Sequence, residues 1–207
     1  MDNRYSDMGR VALFGGSFDP PHRAHLAIAH AAADAFSLDR VWFAPTGLQP
    51  LKPRGASAPF VDRLAMVSLA CGMDERFAVS DLDAPRSDGQ PNYTVDTLER
   101  LKALWPSLRI FAIAGADSFL ELPRWRESPR LLELAEWIVV SRPGFSLSNL
   151  SAMGLPPEAM LRVHLLTTIE ERVSATELRA RLARGENCSD AVPSSVLRYL
   201  RDHNLYG

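Results

Sequence analysis

Val11-Ala12-Leu13-Phe14-Gly15-Gly16-Ser17-Phe18-Asp19-Pro20-Pro21-His22-Arg23-Ala24-His25 is the stretch on which the fold turns. Four apolar residues in a row, Val11–Phe14, predict a strand covered on both faces, since a strand with one wet face would alternate. Two glycines follow, and a helix begins near Pro21–Arg23. It runs on as Ala24–Phe36, rich in Ala and carrying Leu26, Ile28 and Phe36. Strand, glycine turn and helix form the opening unit of an α/β domain.

The same alternation continues outward. Val41–Ala44, Phe77–Ser80, Ile110–Ala114, Trp137–Val140 and Val163–Leu166 read as further short strands. Phe60–Cys71 has helical spacing through Leu64, Val67 and Leu69, with Gly72 as its stop. Thr94–Leu104, Ala175–Arg184 and Ser194–His203 read as later helices. The pattern predicts an α/β fold: a Rossmann-like, doubly wound parallel sheet followed by C-terminal helices. One domain spanning 1–207 is expected, its C-terminal helical part starting at about residue 170. Ligands of such sheets collect at the carboxyl ends of the strands, so the loops after Phe14, Ala44, Ser80, Ala114 and Val140 are the ones to inspect. Pro45–Pro59, Leu82–Asn92 and Gly144–Pro157 are long, Pro/Gly/Ser-rich connections suited to covering a site.

Composition narrows the function classes. A formal net charge of −2 over 207 residues gives no general attraction for nucleic acid or an anionic membrane. Any anionic ligand must be met by local donors. Of the 23 basic residues only Lys52 and Lys102 are lysine. Arg suits bidentate phosphate contacts, but a genome-wide codon bias explains the excess as well, and no function is read from it. Cys71 and Cys188 stand far apart, in no metal-ligand spacing, as expected of free thiols in a reducing cytosol. Met1–Arg10 has no apolar signal core, and no apolar run reaches the ~18–20 residues needed to span a bilayer. A cytoplasmic location is expected, with no nucleic-acid or membrane partner, while a homo-oligomer stays open.

The first loop carries the chemistry. Paired glycines after a buried strand bring backbone close to a ligand and free N–H groups for phosphate oxygens. The positive end of the following helix points into the same space. His22 and His25 share one face of its first turn, where two imidazoles can donate to oxygens that gain charge in a transition state. The spacing alone leaves other readings open. The pair could be metal ligands, although no third ligand stands nearby, or incidental residues at a helix start.

Gly15-Gly16-Ser17-Phe18-Asp19-Pro20 with His22-x-x-His25 resembles the G-G-x-F-D-P-x-H-x-G-H signature of the nucleotidyltransferase superfamily. The resemblance implies that His22 and His25 bind the triphosphate of ATP and stabilise a pentavalent transition state at the α-phosphorus. It also implies that Gly15, Gly16, Ser17 and Phe18 form the ATP-binding turn. Ala24 stands where the signature has Gly, which adds one methyl group. Ser174-Ala175-Thr176-Glu177-Leu178-Arg179 opens a late helix. Ser174 and Glu177 fit a capping box, whereas Thr176 and Arg179 would converge on an anion at the helix N-terminus. This segment is similar to the I-S-S/A-T-x-I-R element of the superfamily, which implies contacts from Ser174, Thr176 and Arg179 to ATP phosphates.

The middle of the chain addresses the acceptor. Tyr93 and Thr94 lie at a helix start, where Thr94 can cap and Val95 and Leu98 can enter the core. Trp125 sits in a Pro- and charge-rich stretch, either covering the core edge or stacking on a flat ring. Tyr93-Thr94-Val95-Asp96-Thr97-Leu98, Gly115-Ala116-Asp117-Ser118, Trp125 and Arg142-Pro143-Gly144 together resemble bacterial nicotinate-nucleotide adenylyltransferases, over about Val11 to Leu200. The resemblance implies that Tyr93, Thr94 and Trp125 surround the nicotinate ring, and that Gly115 and Asp117 face the adenosine ribose. Arg126 would serve the nicotinate carboxylate by its backbone N–H or its guanidinium; a solvated surface arginine is the alternative. Gln49-Pro50-Leu51-Lys52-Pro53 departs from the family's P-x-H-K by placing Leu51 where a His is usual, and leaves Lys52 as a phosphate contact.

The implied reaction is in-line attack of the 5′-phosphate of nicotinate mononucleotide on ATP, with release of pyrophosphate in NAD biosynthesis. Mg²⁺ is expected to be bound mainly through the ATP phosphates, with no protein metal site. The rivals are a phosphopantetheine adenylyltransferase, which has no need of Trp125 and Tyr93-Thr94, and a regulator that binds nucleotide without turnover. A pure sensor has no use for His22, His25, Thr176 and Arg179 together.

Overall fold

The computed structural model describes residues 9–51, 55–72, 74–141, 150, 153–167 and 174–207. Six parallel strands form one sheet: β1 (Arg10–Gly16), β2 (Arg40–Pro45), β3 (Phe77–Val79), β4 (Arg109–Gly115), β5 (Glu136–Val140) and β6 (Val163–Leu166). Their order is β3-β2-β1-β4-β5-β6, so strand order reverses between β1 and β4. The expected Rossmann-like doubly wound sheet is the fold. Each expected strand is present, and β3 closes at Val79 rather than Ser80.

The apolar strands segregate by the pleat. Val11 and Leu13 on β1, Ile110 and Ala112 on β4 and Trp137 and Val139 on β5 bury one face. That face packs against α3 (Thr94–Leu104), α4 (Ala116–Leu120) and α5 (Ser128–Leu134). Ala12, Phe14, Phe111, Ile113 and Ile138 bury the other, beneath α1 (Arg23–Phe36) and α2 (Phe60–Cys71). Covering both faces removes the polar alternation from these strands, which is why they read as continuous apolar runs. The wholly buried residues of α1 are Ala24, Ala29, Ala32 and Ala33, with Leu26, Ile28 and Phe36 only partly covered. Small side chains let the helix axis lie close to the sheet.

On α2 the buried face is Arg63, Met66, Val67, Ala70 and Cys71, and the expected apolar position Leu69 is 42% exposed. The helix is turned this way because it also supports the C-terminal helices. Met66 and Ala70 join Leu178, Val192, Val196 and Leu200 in a third cluster. These last come from or flank α7 (Ala175–Ala183) and α8 (Ser194–Asp202), which follow the short α6 (Pro157–Met160). The expected C-terminal helices are therefore docked on α2. Gly72 is the C-cap of α2 as expected. Three short helical elements beyond those expected, α4, the 3₁₀ turn Leu122–Arg124 and α5, fill the connection between β4 and β5.

Candidate active site

The carboxyl ends of β1 and β4 open into a cleft of about 210 Å³ at the point where strand order reverses. Gly15, Gly16 and Ser17 line its floor from β1, Gly115 and Ser118 line it from the β4–α4 turn, and Tyr93, Thr94, Trp125 and Arg126 form the far wall. Four of the expected ATP-binding positions, Gly15, Gly16, Ser17 and Gly115, and all four acceptor positions thus line one cavity. A Cβ on Gly15 or Gly115 would meet no atom within 4 Å, so both glycines leave open space toward the cleft. A Cβ on Gly16 would come within 3.3 Å of the Phe18 ring, so its absence allows the loop to fold back on that ring.

Phe18 itself is 2% exposed at φ 47, a left-handed conformation uncommon for an aromatic residue. Its ring makes an edge contact with Phe14 at 5.5 Å and with His25 at 4.9 Å. Phe18 therefore belongs to the core, and only its backbone is free to serve a ligand. Asp117 stands exposed in the first turn of α4 and is not among the residues lining the cleft, unlike its neighbours Gly115 and Ser118. Lys52 and Arg142-Pro143-Gly144 lie outside the described residues.

His22 is the N-cap of α1 and His25 is its third residue. Their rings stack with centroids 3.7 Å apart. His25 Nδ1 accepts the backbone N–H of His22 at 3.2 Å, which leaves Nε2 as the protonated, donating nitrogen of a neutral His25. Burial pushes the His22 imidazole down to about 4. Burial, and then the neighbouring His22, hold His25 well below its ordinary value. Both rings are thus neutral donors at pH 7. His22 Nδ1 is buried without a hydrogen-bond partner among the described residues.

The late element reaches the same loop. Arg179 Nη1 donates to the Asp19 carbonyl at 2.8 Å and lies 3.5 Å from its Oδ2, while Nη2 donates to Thr176 Oγ1 at 3.3 Å. Ser174 is the N-cap of α7 by backbone conformation, but its side chain makes no capping hydrogen bond, so the expected capping box is absent. Thr94 likewise does not cap α3. Tyr93 holds that position, and Thr94 opens the helix with its backbone N–H at the positive end.

At the far wall Trp125 packs edge-on to Trp137 at 5.8 Å, and its indole Nε1 is buried without a hydrogen-bond partner among the described residues. The Arg126 guanidinium lies 4.8 Å over the Tyr93 ring, a cation–π contact that sets it at the cleft edge beside Glu127.

Several site residues carried no signal in the sequence. Asp83 lines the cleft, accepts the Thr97 hydroxyl at 2.8 Å, and has its carboxyl raised by burial. Asn92 staples the two covering loops: its Oδ1 accepts the Leu48 N–H at 3.0 Å and its Nδ2 donates to the Ala84 carbonyl at 2.8 Å. Gly47 is required there, since a Cβ would stand 2.6 Å from Pro85 N. Arg63, 2% exposed, donates to the Ser17 carbonyl at 2.7 Å and to the Ala58 carbonyl at 3.1 Å, holding the glycine loop from beneath.

Among the described residues, no three His, Cys, Asp or Glu side chains gather as a metal site, and no helix is long and apolar enough to cross a membrane.

The cytidylyltransferase-like family model matches residues 13–181. A relative from Roseiflexus sp. (strain RS-1), named "Probable nicotinate-nucleotide adenylyltransferase", is 40% identical over 95% of this chain and 97% of its own length. One from Neisseria meningitidis serogroup B under the same name is also 40% identical, over 96% of this chain and 99% of its own. The Plasmodium falciparum nicotinic acid mononucleotide adenylyltransferase solved in complex with NaAD superposes with a TM-score of 0.74. That superposition covers 96% of this chain and 97% of the other at 17% identity, a likeness of fold. The chain belongs to the cytidylyltransferase-like family and, within it, to the nicotinate-nucleotide adenylyltransferases of NAD biosynthesis.

Proposed function

We propose that adenylyl transfer in this chain runs across the β1–β4 cleft. The ATP triphosphate would lie between the Gly15–Phe18 backbone, His22–His25 and the first turn of α7, and nicotinate mononucleotide against Tyr93, Thr94, Trp125 and Arg126. A 5′-phosphate oxygen of the mononucleotide forms a bond to the α-phosphorus of ATP. The bond from that phosphorus to the β-phosphate oxygen breaks, and pyrophosphate leaves. The attacking oxygen is already anionic, so no general base is required, and the protein contributes positioning and charge stabilisation.

The observation that carries this reading is the meeting of Arg179 with the glycine loop, at 2.8 Å from the Asp19 carbonyl. This contact between two elements 160 residues apart in sequence supports their sharing one anion-binding surface. Neutral His25, with Nδ1 occupied by its own helix start, presents Nε2–H as a donor. Around this surface the side-chain donors are imidazole and guanidinium, which suit phosphate oxygens and not a cation. Mg²⁺, if carried on the ATP phosphates, would supply charge neutralisation for the departing pyrophosphate without ligands from these side chains.

At the acceptor end, the Trp125 Nε1–H, without a partner among the described residues, the Thr94 backbone N–H at a helix start and the Arg126 guanidinium offer donors to a carboxylate or ring substituent. The complex of the Plasmodium falciparum enzyme with NaAD supports a dinucleotide product in this fold. Pyrophosphate release from ATP, assayed with nicotinate mononucleotide, its amide analogue or phosphopantetheine, tests the proposal. Turnover should be highest with the acid, and preference for phosphopantetheine would refute the assignment of the far wall.

A further inference from the structure

Three segments contact Asp19, which is 4% exposed. Its Oδ2 accepts the Ser57 N–H at 2.6 Å, and its Oδ1 accepts the Ala58 N–H at 3.0 Å and the Tyr206 hydroxyl at 2.5 Å. Arg179 from α7 lies 3.5 Å from Oδ2, yet its hydrogen bond at 2.8 Å goes to the Asp19 backbone carbonyl. Arg63, although close, has its donors on the Ser17 and Ala58 carbonyls. Two backbone N–H groups and one phenol thus occupy three of the acceptor sites of the Asp19 carboxylate, and Arg179 makes only a long ion pair with Oδ2, its hydrogen bond going to the carbonyl.

This matters for a site that must bind an anion. A bare aspartate beside Arg179 would compete with phosphate for the guanidinium, since a bidentate carboxylate pair is the strongest contact Arg can form. We propose that Tyr206 is a positioning residue for the reaction: by occupying Asp19 Oδ1 it holds the carboxylate turned so that Arg179 stays available to the triphosphate. Residues beyond α8 thereby govern nucleotide affinity. Leu205 and Tyr206 reach Asp19 because they pack on the cluster formed by α2, α7 and α8, and the Leu205 N–H closes on the Leu200 carbonyl at 3.0 Å. Burial and the Asp19 carboxylate both raise the Tyr206 phenol, keeping it a donor throughout the working pH range. The inference rests on the reading of Arg179 as a phosphate contact.

Tyr206→Phe removes the hydroxyl and keeps the ring. Its KM for ATP should rise about tenfold, the worth of a hydrogen bond to a charged group, with the KM for nicotinate mononucleotide unchanged. In an Asp19→Asn background the competing charge is gone, and the same substitution should change the KM for ATP by less than about twofold. A rise of less than about threefold in the wild-type background overturns the proposal. So does an equal rise in both KM values that follows a loss of Tm, or an undiminished effect in the Asp19→Asn background. Arg179→Ala run in parallel reports on the phosphate reading itself: if its KM for ATP is unchanged, that reading fails whatever Tyr206→Phe does.

Discussion

His22 and His25 stack at 3.7 Å while His25 Nδ1 accepts the His22 N–H, so the two imidazoles are locked to each other and to the helix start in one arrangement. Phe14 and Phe18 close on His25 edge-on, at 6.0 and 4.9 Å. The lock fixes which nitrogen of His25 carries a proton, and with it the direction in which the ring can donate. A single hydrogen bond thus links the start of a helix to the tautomer of the imidazole proposed above as a transition-state donor.

Replacing His25 by Ala removes that donor and leaves the His22 N–H without its acceptor. Loss of one transition-state donor lowers turnover by about 10²–10³-fold, and loss of the cap costs about 1 kcal/mol of stability. Steady-state kinetics with a thermal melt should therefore show kcat down by orders of magnitude and a Tm lowered by only a few degrees. Near-normal turnover would remove His25 from the mechanism.

The same burial predicts acid sensitivity. His22 has an ordinary value of 6.5 and is held at about 4 in the folded chain, so between those values the unfolded chain binds the extra proton. More protons on the unfolded state mean that stability falls with falling pH. The contribution is complete above pH 6.5 and is lost as pH falls toward 4, by roughly 3 kcal/mol. Asp83 works in the opposite sense, because its raised carboxyl takes up a proton in the folded state first. Urea titrations at pH 7, 6, 5 and 4 on wild type and His22→Asn separate the two: the variant should lose less stability over this range. Parallel curves for the two proteins would disprove the assignment.

Much of this arrangement was legible before the structure. The apolar runs of β1, β2, β4 and β5 announced a parallel sheet because both faces are covered, and two of the five loops singled out, those after Phe14 and Ala114, flank the reversal of strand order. The short elements α4 and α5 were not legible, since five and seven residues hold too few turns to show a period. Leu69 misled because α2 turns another face inward, on which Met66 and Ala70 meet the C-terminal helices and Arg63 donates to the Ser17 and Ala58 carbonyls. The contacts of Tyr206 and Arg179 with Asp19 span 187 and 160 residues, and no local pattern encodes such a meeting. Side chains that act through local backbone geometry can be read from sequence, whereas those that close a loop from a distant element cannot.

Arg179 places one guanidinium nitrogen on the Asp19 carbonyl and the other on Thr176 Oγ1. Lysine in its place keeps the charge and loses the fork, so it cannot hold both and still meet a phosphate oxygen. Arg179→Lys should raise the KM for ATP about tenfold with a smaller change in kcat, and leave the KM for nicotinate mononucleotide as it is. Steady-state kinetics with each substrate varied in turn decides it. Unchanged KM for ATP would mean that a point charge is all the site requires.

Trp125 offers the cleanest separation of stacking from hydrogen bonding at the acceptor end. Its indole is wedged against Trp137, and its Nε1–H is buried without a partner among the described residues, although it belongs to a cleft-lining side chain. A buried donor without an acceptor costs about 1–3 kcal/mol, a penalty that binding of a substrate acceptor would remove. Trp125→Phe keeps an aromatic face and deletes the N–H. If that donor meets the acceptor substrate, the variant should raise the KM for nicotinate mononucleotide about tenfold, with ATP binding intact and a Tm equal to or above that of wild type. If only the ring face matters, the KM will hold. Trp125→Ala removes face and donor together, and should weaken acceptor binding further while opening a cavity beside Trp137 that costs about 3–5 kcal/mol. A larger KM effect from Ala than from Phe, with Phe itself well above wild type, is the pattern expected of a residue that both stacks and donates.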